Sequence, residues 1–232
     1  NQTILTQQKY NLTNKLIPGD HTLTIMVNNG QGSVPDGIKG SHAWTEHTQT
    51  NWNGIIGEIL LEAAPKNYIQ SVHVIPDIQN RQAKVTLKLN NSGNAAVETK
   101  VKLSAASWNA ATTHTVTAKT YKVTLGPGEN QVELIYPIGK KMQYWSEFSP
   151  ALYRLTVTMD TPEGDDNQQV DFGMRNFSVS GTQFQINGLT TFLRGEHNAC
   201  VFPLTGYPPM KTSDWQTVFR IAKTYGINHY RF

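Results

Sequence analysis

Asp171-Phe-Gly-Met-Arg175, Phe184-Gln-Ile-Asn-Gly-Leu-Thr-Thr-Phe-Leu-Arg-Gly-Glu-His-Asn198 and Ile227-Asn-His-Tyr-Arg-Phe232 decide how this sequence is read. Asn187-Gly188 predicts a two-residue hairpin turn, since both residues tolerate positive φ. The β-branched and apolar run at 191–194 predicts a strand, followed by a loop. Ser213 and Gln216 have the spacing of a capping box, and Trp215, Val218, Phe219 and Ala222 recur along one helical face. Gly226 suits the position just past a helix end, and 227–232 predicts a second strand. Strand, helix, strand in that order calls for a parallel pair joined by a crossover. Such a pair wants further neighbours, so the expectation is the opening of a parallel α/β unit belonging to a longer protein.

The composition is that of a globular chain of one or two domains: 232 residues, 38% hydrophobic and 16% charged. A net charge of +3, from 20 basic and 17 acidic residues spread without runs, gives no basic patch for nucleic acid or an anionic membrane. The seven histidines show no metal-ligand spacing, and no cofactor motif is evident. No apolar run approaches the ~20 residues of a membrane span. The single cysteine, Cys200, excludes an intrachain disulfide and leaves the redox compartment open. It reads as a small packing residue rather than a nucleophile, because no neighbouring motif activates it. The first residues carry no secretory-signal pattern; localisation stays open, with a periplasmic or extracellular setting compatible if a leader was removed.

Upstream, alternation at 23–27 and 57–62 predicts two strands framing a long loop, 28–54, rich in Gly, Asn, His and Thr. Loops of this length in compact domains are commonly functional or disordered. Trp44 and Trp52 lie in it. An exposed indole covers the apolar face of a sugar ring while amides and imidazoles reach its hydroxyls; the alternative is that both indoles plug a sheet edge. From 65 to 170 the pattern becomes short strands, at 69–75, 83–89, 97–104, 115–125, 130–135 and 153–160, separated by turn clusters. Six or seven such strands in about a hundred residues predict an immunoglobulin-like sandwich without paired cysteines, acting as spacer and brace. Tyr144-Trp-Ser-Glu-Phe-Ser-Pro-Ala-Leu-Tyr153 is expected to pack an interdomain seam.

Three stretches resemble the glycoside hydrolases of family 2, the β-galactosidase, β-glucuronidase and β-mannosidase group. They are Asn51-Trp-Asn-Gly-Ile-Ile-Gly-Glu-Ile-Leu-Leu61; Trp145-Ser-Glu-Phe-Ser-Pro-Ala-Leu-Tyr-Arg154; and Phe172-Gly-Met-Arg175 through Asn187-Gly and Leu193-Arg-Gly195. The resemblance implies a mainly β chain in three parts. Residues 1–64 are the carboxy-terminal part of a jelly-roll sugar-binding-like domain, 65–170 the immunoglobulin-like sandwich, and 171–232 the truncated start of a (β/α)8 catalytic barrel. It also implies a parent glycosidase hydrolysing O-glycosyl bonds with retention, acting on carbohydrate and compatible with oligomeric assembly. Arg231 matches the arginine that holds the nucleophilic carboxylate ionised and oriented, the alternative being a surface arginine. His197 and Asn198 stand where substrate contacts are found, although Glu196-His-Asn-Ala-Cys200 departs from the family's usual Val-Asn-Arg-His-Glu; a solvated polar loop is the other reading.

A retaining glycosidase needs two carboxyl groups ~5–5.5 Å apart across the scissile bond. After Arg175 the only side-chain carboxyls are Glu196 and Asp214. Asp214 suits the dipole of a helical first turn. The family's two catalytic glutamates would lie beyond Phe232, so the chain is expected to hold no catalytic carboxylate and to be silent by itself. Two other classes remain: a non-catalytic carbohydrate-binding module centred on Trp44 and Trp52, and a purely structural sandwich.

Overall fold

The computed structural model describes residues 8–28, 54–55, 57–198, 202, 204–206 and 208–232. It divides into two compact units, Leu61–Leu193 and Asn1–Leu60 with Arg194–Phe232.

The first unit is a two-sheet sandwich of seven antiparallel strands: β1 Asn67–Asp77, β2 Gln82–Asn91, β3 Val97–Trp108, β4 Thr115–Leu125, β5 Gly128–Pro137, β6 Leu152–Met159 and β7 Asp166–Phe172. One sheet runs β1-β2-β5 and the other β4-β3-β6-β7. In constant-type immunoglobulin domains the fourth strand joins the first sheet; here it pairs with β3 instead. The alternation in the sequence is the cause of the core. Ala83, Val85, Leu87 and Leu89 on β2 and Tyr153, Leu155, Val157 and Met159 on β6 are fully buried and face each other across the layers, while Lys84, Lys88 and Arg154 take the opposite pleat. Side chains sew the seams. Ile69 N donates to Asp166 Oδ2 (2.6 Å) and Gln168 Nε2 donates to Ile69 O, tying β1 to β7. Tyr136 Oη donates to Thr117 O (3.1 Å) and Tyr121 Oη to Ile135 O, tying β5 to β4. Burial pushes the Tyr136 phenol up to about 12, so it remains a donor at every ordinary pH.

All six strands expected between 65 and 170 are present, with a seventh, β7, that the sequence reading left out. Its residues Asp166-Asn-Gln-Gln-Val-Asp-Phe172 are largely polar, and pairing with β6 recruits them. Asp171 and Phe172 therefore close the sandwich, with Phe172 and Met174 in its core, and do not open a parallel unit. After them come β8 Phe177–Ser180, β9 Gln183–Ile186 and β10 Leu189–Thr191, an antiparallel sheet in the order β10-β9-β8. The turn between β9 and β10 is Asn187-Gly188, both at positive φ (54° and 81°), as the sequence predicts.

In the other unit, β11 Gly195–His197, α1 Thr212–Thr224 and β12 His229–Arg231 form a parallel β-α-β. The strand expected at 191–194 is displaced: Thr191 belongs to the antiparallel sheet, and Gly195-Glu-His197 becomes the parallel strand because β12 supplies its ladder. The second strand is shorter than the expected 227–232. The capping box does not form either. Lys211 is the N-cap, without a side-chain cap, and Ser213 is already inside the first turn. Gly226 does end the helix: its N–H bonds Lys223 O and that of Ile227 bonds Ala222 O, the paired pattern of a Schellman stop. Trp215 and Phe219 stack on one face of α1, with ring centroids 5.5 Å apart, and meet Phe232 and Tyr230 at 5.3 and 5.1 Å.

The strands expected at 23–27 and 57–62 are absent; both stretches are irregular and exposed. Alternation defines a face, but a strand also needs a ladder, and no other described segment pairs with either. No jelly-roll strand is thus present among the described residues. Among them, also, no helix is long and apolar enough to cross a membrane.

Candidate functional site

Three of the residues singled out from sequence come together at the carboxyl ends of β11 and β12. Gly195 pairs with His229, Glu196 with Tyr230 and His197 with Arg231. Asn198 N donates to Arg231 O (2.8 Å), carrying the ladder one residue further. Register partners on neighbouring strands share a face. Tyr230 packs on Phe219 of α1, so Glu196 and Tyr230 occupy the helix side, and His197, His229 and Arg231 the opposite one. Glu196 hydrogen-bonds the Tyr230 hydroxyl, and that bond, followed by desolvation and the carboxylate's charge, raises the phenol above its usual 10. The result is a cationic face with its nearby carboxylate turned toward the helix. Asp214 sits in the first turn of α1. Neither Glu196 nor Asp214 is on the strand face that carries Arg231.

The preceding residues brace these strands. Arg194 N donates to Asn228 Oδ1 (2.8 Å), Asn228 N returns a bond to Arg194 O (3.1 Å), and Arg194 Nε donates to Gly226 O at the helix end. There the guanidinium complements the negative end of the helix dipole. Gly195 leaves room for an imidazole, since a Cβ on it would stand 3.1 Å from His229 Cδ2. Sequence reasoning missed Asn228; its place just past a glycine stop was the available signal.

The family-like stretches at Trp145, Phe172–Arg175 and Asn187 also converge, within the sandwich unit. Trp145 N donates to Met174 O (3.1 Å), and the Arg175 guanidinium lies 4.7 Å from the centroid of the indole. Asn187 Nδ2 donates to Trp145 O (2.9 Å), and Asn187 Oδ1 accepts from Asn176 N (2.9 Å). The motif residues are thus neighbours in space as well as markers along the chain. Trp44, Trp52 and Cys200 lie outside the described residues. Among the described residues no three His, Cys, Asp or Glu side chains gather as a metal site.

A seven-stranded two-sheet sandwich with this junction, followed along the chain by a parallel β-α-β, defines the class as a mainly β chain built on a β-sandwich. Residues 67–175 match the family described as Glycosyl hydrolases family 2. That stretch, the seven strands of the sandwich and the junction that follows them, is what the chain shares with glycoside hydrolase family 2. It is 22% identical over 193 residues to a β-galactosidase of Alteromonas mediterranea, covering 81% of this chain and 18% of that protein. With a β-galactosidase of Photobacterium profundum the identity is 23% over 229 residues, 96% of this chain and 21% of the relative. The chain therefore spans about a fifth of the length of the curated relatives it matches. Among solved structures, a β-galacturonidase of Eisenbergiella tayi bound to galacturonate shares the fold with a TM-score of 0.58 at 17% identity, over 72% of this chain and 28% of that one. A β-glucuronidase of Parabacteroides merdae gives 0.53 at 21%, over 72% and 21%.

Proposed function

We propose that this chain supplies the sandwich and the opening strand, helix and strand of a (β/α)8 catalytic barrel to a longer glycosidase, which hydrolyses O-glycosyl bonds with retention. The observation that carries this reading is the place of Arg231: at the carboxyl end of a parallel strand, on the face turned away from the helix, beside His197. In a closed barrel that face is the interior and that end holds the active site. Residues 1–64 then belong to the preceding sugar-binding-like domain, 65–170 to the brace, and 171–232 to the passage into the barrel.

In this reading Arg231 holds the nucleophilic carboxylate. A guanidinium stays charged at every working pH and presents a planar fork to a carboxylate, so it keeps the nucleophile ionised and aimed. His197 and Asn198 line the pocket floor for a sugar hydroxyl. Glu196 and Asp214 are unsuited to the acid/base and nucleophile pair, which must face each other across the scissile bond; both catalytic acids then come from later strands, and the chain alone is silent. Relatives that carry the name β-galactosidase support a glycoside as the substrate class.

The test is hydrolysis of nitrophenyl β-galactoside and β-glucuronide. The 232-residue chain is expected to release no chromophore above a buffer control. The full-length protein is expected to turn over one of the two, and Arg231→Lys in it to lower kcat about a hundredfold, the cost of a nucleophile misplaced by about 1 Å. Turnover by the short chain would refute the reading.

A further inference from the structure

The sandwich unit carries a cleft of its own, about 770 Å³, between the start of β4 and the loop that follows β5. His114, Thr115, Thr117, Lys140, Lys141 and Gln143 line it, and no acidic side chain does. Both lysines are exposed and form no ion pair among the described residues. One wall is fixed: His114 N donates to Ser107 Oγ (2.7 Å), and His114 Nδ1 lies 2.8 Å from the Tyr153 hydroxyl. Gln143 Nε2 is committed to Thr112, 2.8 Å from its carbonyl and 3.2 Å from its hydroxyl. Gln143 Oε1 is buried and accepts no hydrogen bond among the described residues.

We propose that this cleft is a binding site for an acidic saccharide, a short sugar chain bearing carboxylate or sulfate groups. Two unpaired ammonium groups with no carboxylate between them select an anion. Threonine hydroxyls and an amide oxygen without a donor select something more, a partner that donates as well as accepts. A sulfate ion offers acceptors only and leaves Oε1 unsatisfied. A sugar hydroxyl offers the donor that Oε1 lacks, while the acidic group of the same ligand meets Lys140 and Lys141. The proposal stands on this lining and does not depend on Arg231 having a catalytic role.

The test is titration of the 232-residue chain with trigalacturonic acid, with neutral galactotriose and with sodium sulfate, followed by calorimetry. The acidic trimer is expected to bind more tightly than either comparator and to weaken as salt is added. Lys140→Gln combined with Lys141→Gln is expected to lower its affinity about tenfold, corresponding to the loss of the charge-assisted contacts. Both positions are exposed, and an unchanged circular dichroism spectrum confirms that the fold is kept. Equal affinity for the neutral trimer, an unaltered affinity in the double variant, or sulfate binding as tightly as the trimer would each overturn the proposal. Because the readout is binding, a negative result is separable from any failure of the hydrolysis test.

Discussion

The guanidinium of Arg175 lies 4.7 Å from the centroid of Trp145, and the residue two places before it, Gly173, is what lets the chain come so near. A Cβ at Gly173 would stand 2.9 Å from Trp145 Cβ and 3.0 Å from Cγ, closer than such atoms approach. The indole is held by Met174 O through its backbone and by Asn187 through its carbonyl, so it has little freedom to retreat. Gly173→Ala is therefore expected to destabilise the sandwich by about 1–3 kcal/mol, the usual cost of overpacking. A lowered midpoint in urea with an unchanged slope is the check.

Asn187 does two jobs. Its φ of +54° places it in the left-handed region, and its carboxamide links Trp145 O to Asn176 N. Asn187→Ala loses both, and about 2–3 kcal/mol of stability is expected to go with them. Asn187→Gly loses the links but suits the backbone, so it is expected to cost about 1 kcal/mol less than alanine. Denaturation of the two variants side by side decides whether strain contributes: equal midpoints would mean that it does not.

The sandwich was legible because its inward residues announce themselves. Along β2, Ala83, Val85, Leu87 and Leu89 alternate with Lys84, Thr86 and Lys88, and the period alone gives strand and face. Where that period fails, so does the reading. β7 has only Val170 and Phe172 to offer and is a strand because β6 is beside it. Leu23 and Ile25 alternate well and are not in a strand, since no ladder reaches them. The same holds for the candidate site. Arg231 and His197 stood out singly, but their adjacency is a fact of cross-strand register, which no local pattern encodes. Asn187-Gly188, by contrast, was readable outright, because only a few residue types accept both dihedrals.

Gly226 ends α1 at φ +76°, and the nearest atom to a Cβ built there is Arg194 Nε at 3.8 Å. There is room for a methyl, so Gly226→Ala isolates the conformational cost. About 1–2 kcal/mol is expected, enough to loosen the last turn. Amide exchange at Ile227, whose N–H bonds Ala222 O, is expected to quicken accordingly while exchange in β2 and β6 stays unchanged. If β2 quickens as well, the glycine stop is not acting locally.

Tyr153 Oη accepts from Gln143 N (2.9 Å) and lies 2.8 Å from His114 Nδ1, to which its hydroxyl donates when that nitrogen carries no proton. That arrangement requires an imidazole with an unprotonated Nδ1. Burial first, and the charge of Lys141 second, hold His114 below its usual 6.5. The unfolded chain therefore takes up this proton at a higher pH than the folded one does. Stability from this group is complete above the unfolded value of about 6.5 and is lost as pH falls through the folded value. Asp171 acts in the same direction further down: the Arg154 hydrogen bond holds it below 3.8, so its contribution is present above that value and fades in acid. Thermal melts between pH 8 and 3 are expected to show a flat top, a decline beginning near 6.5 and a steeper loss below about 4. His114→Gln removes the titrating ring and is expected to flatten the decline between about 6.5 and 5 while leaving the steeper acid loss from the carboxylates. A decline of the same size in the variant would assign that step to another histidine and break the link between burial and pH at Tyr153.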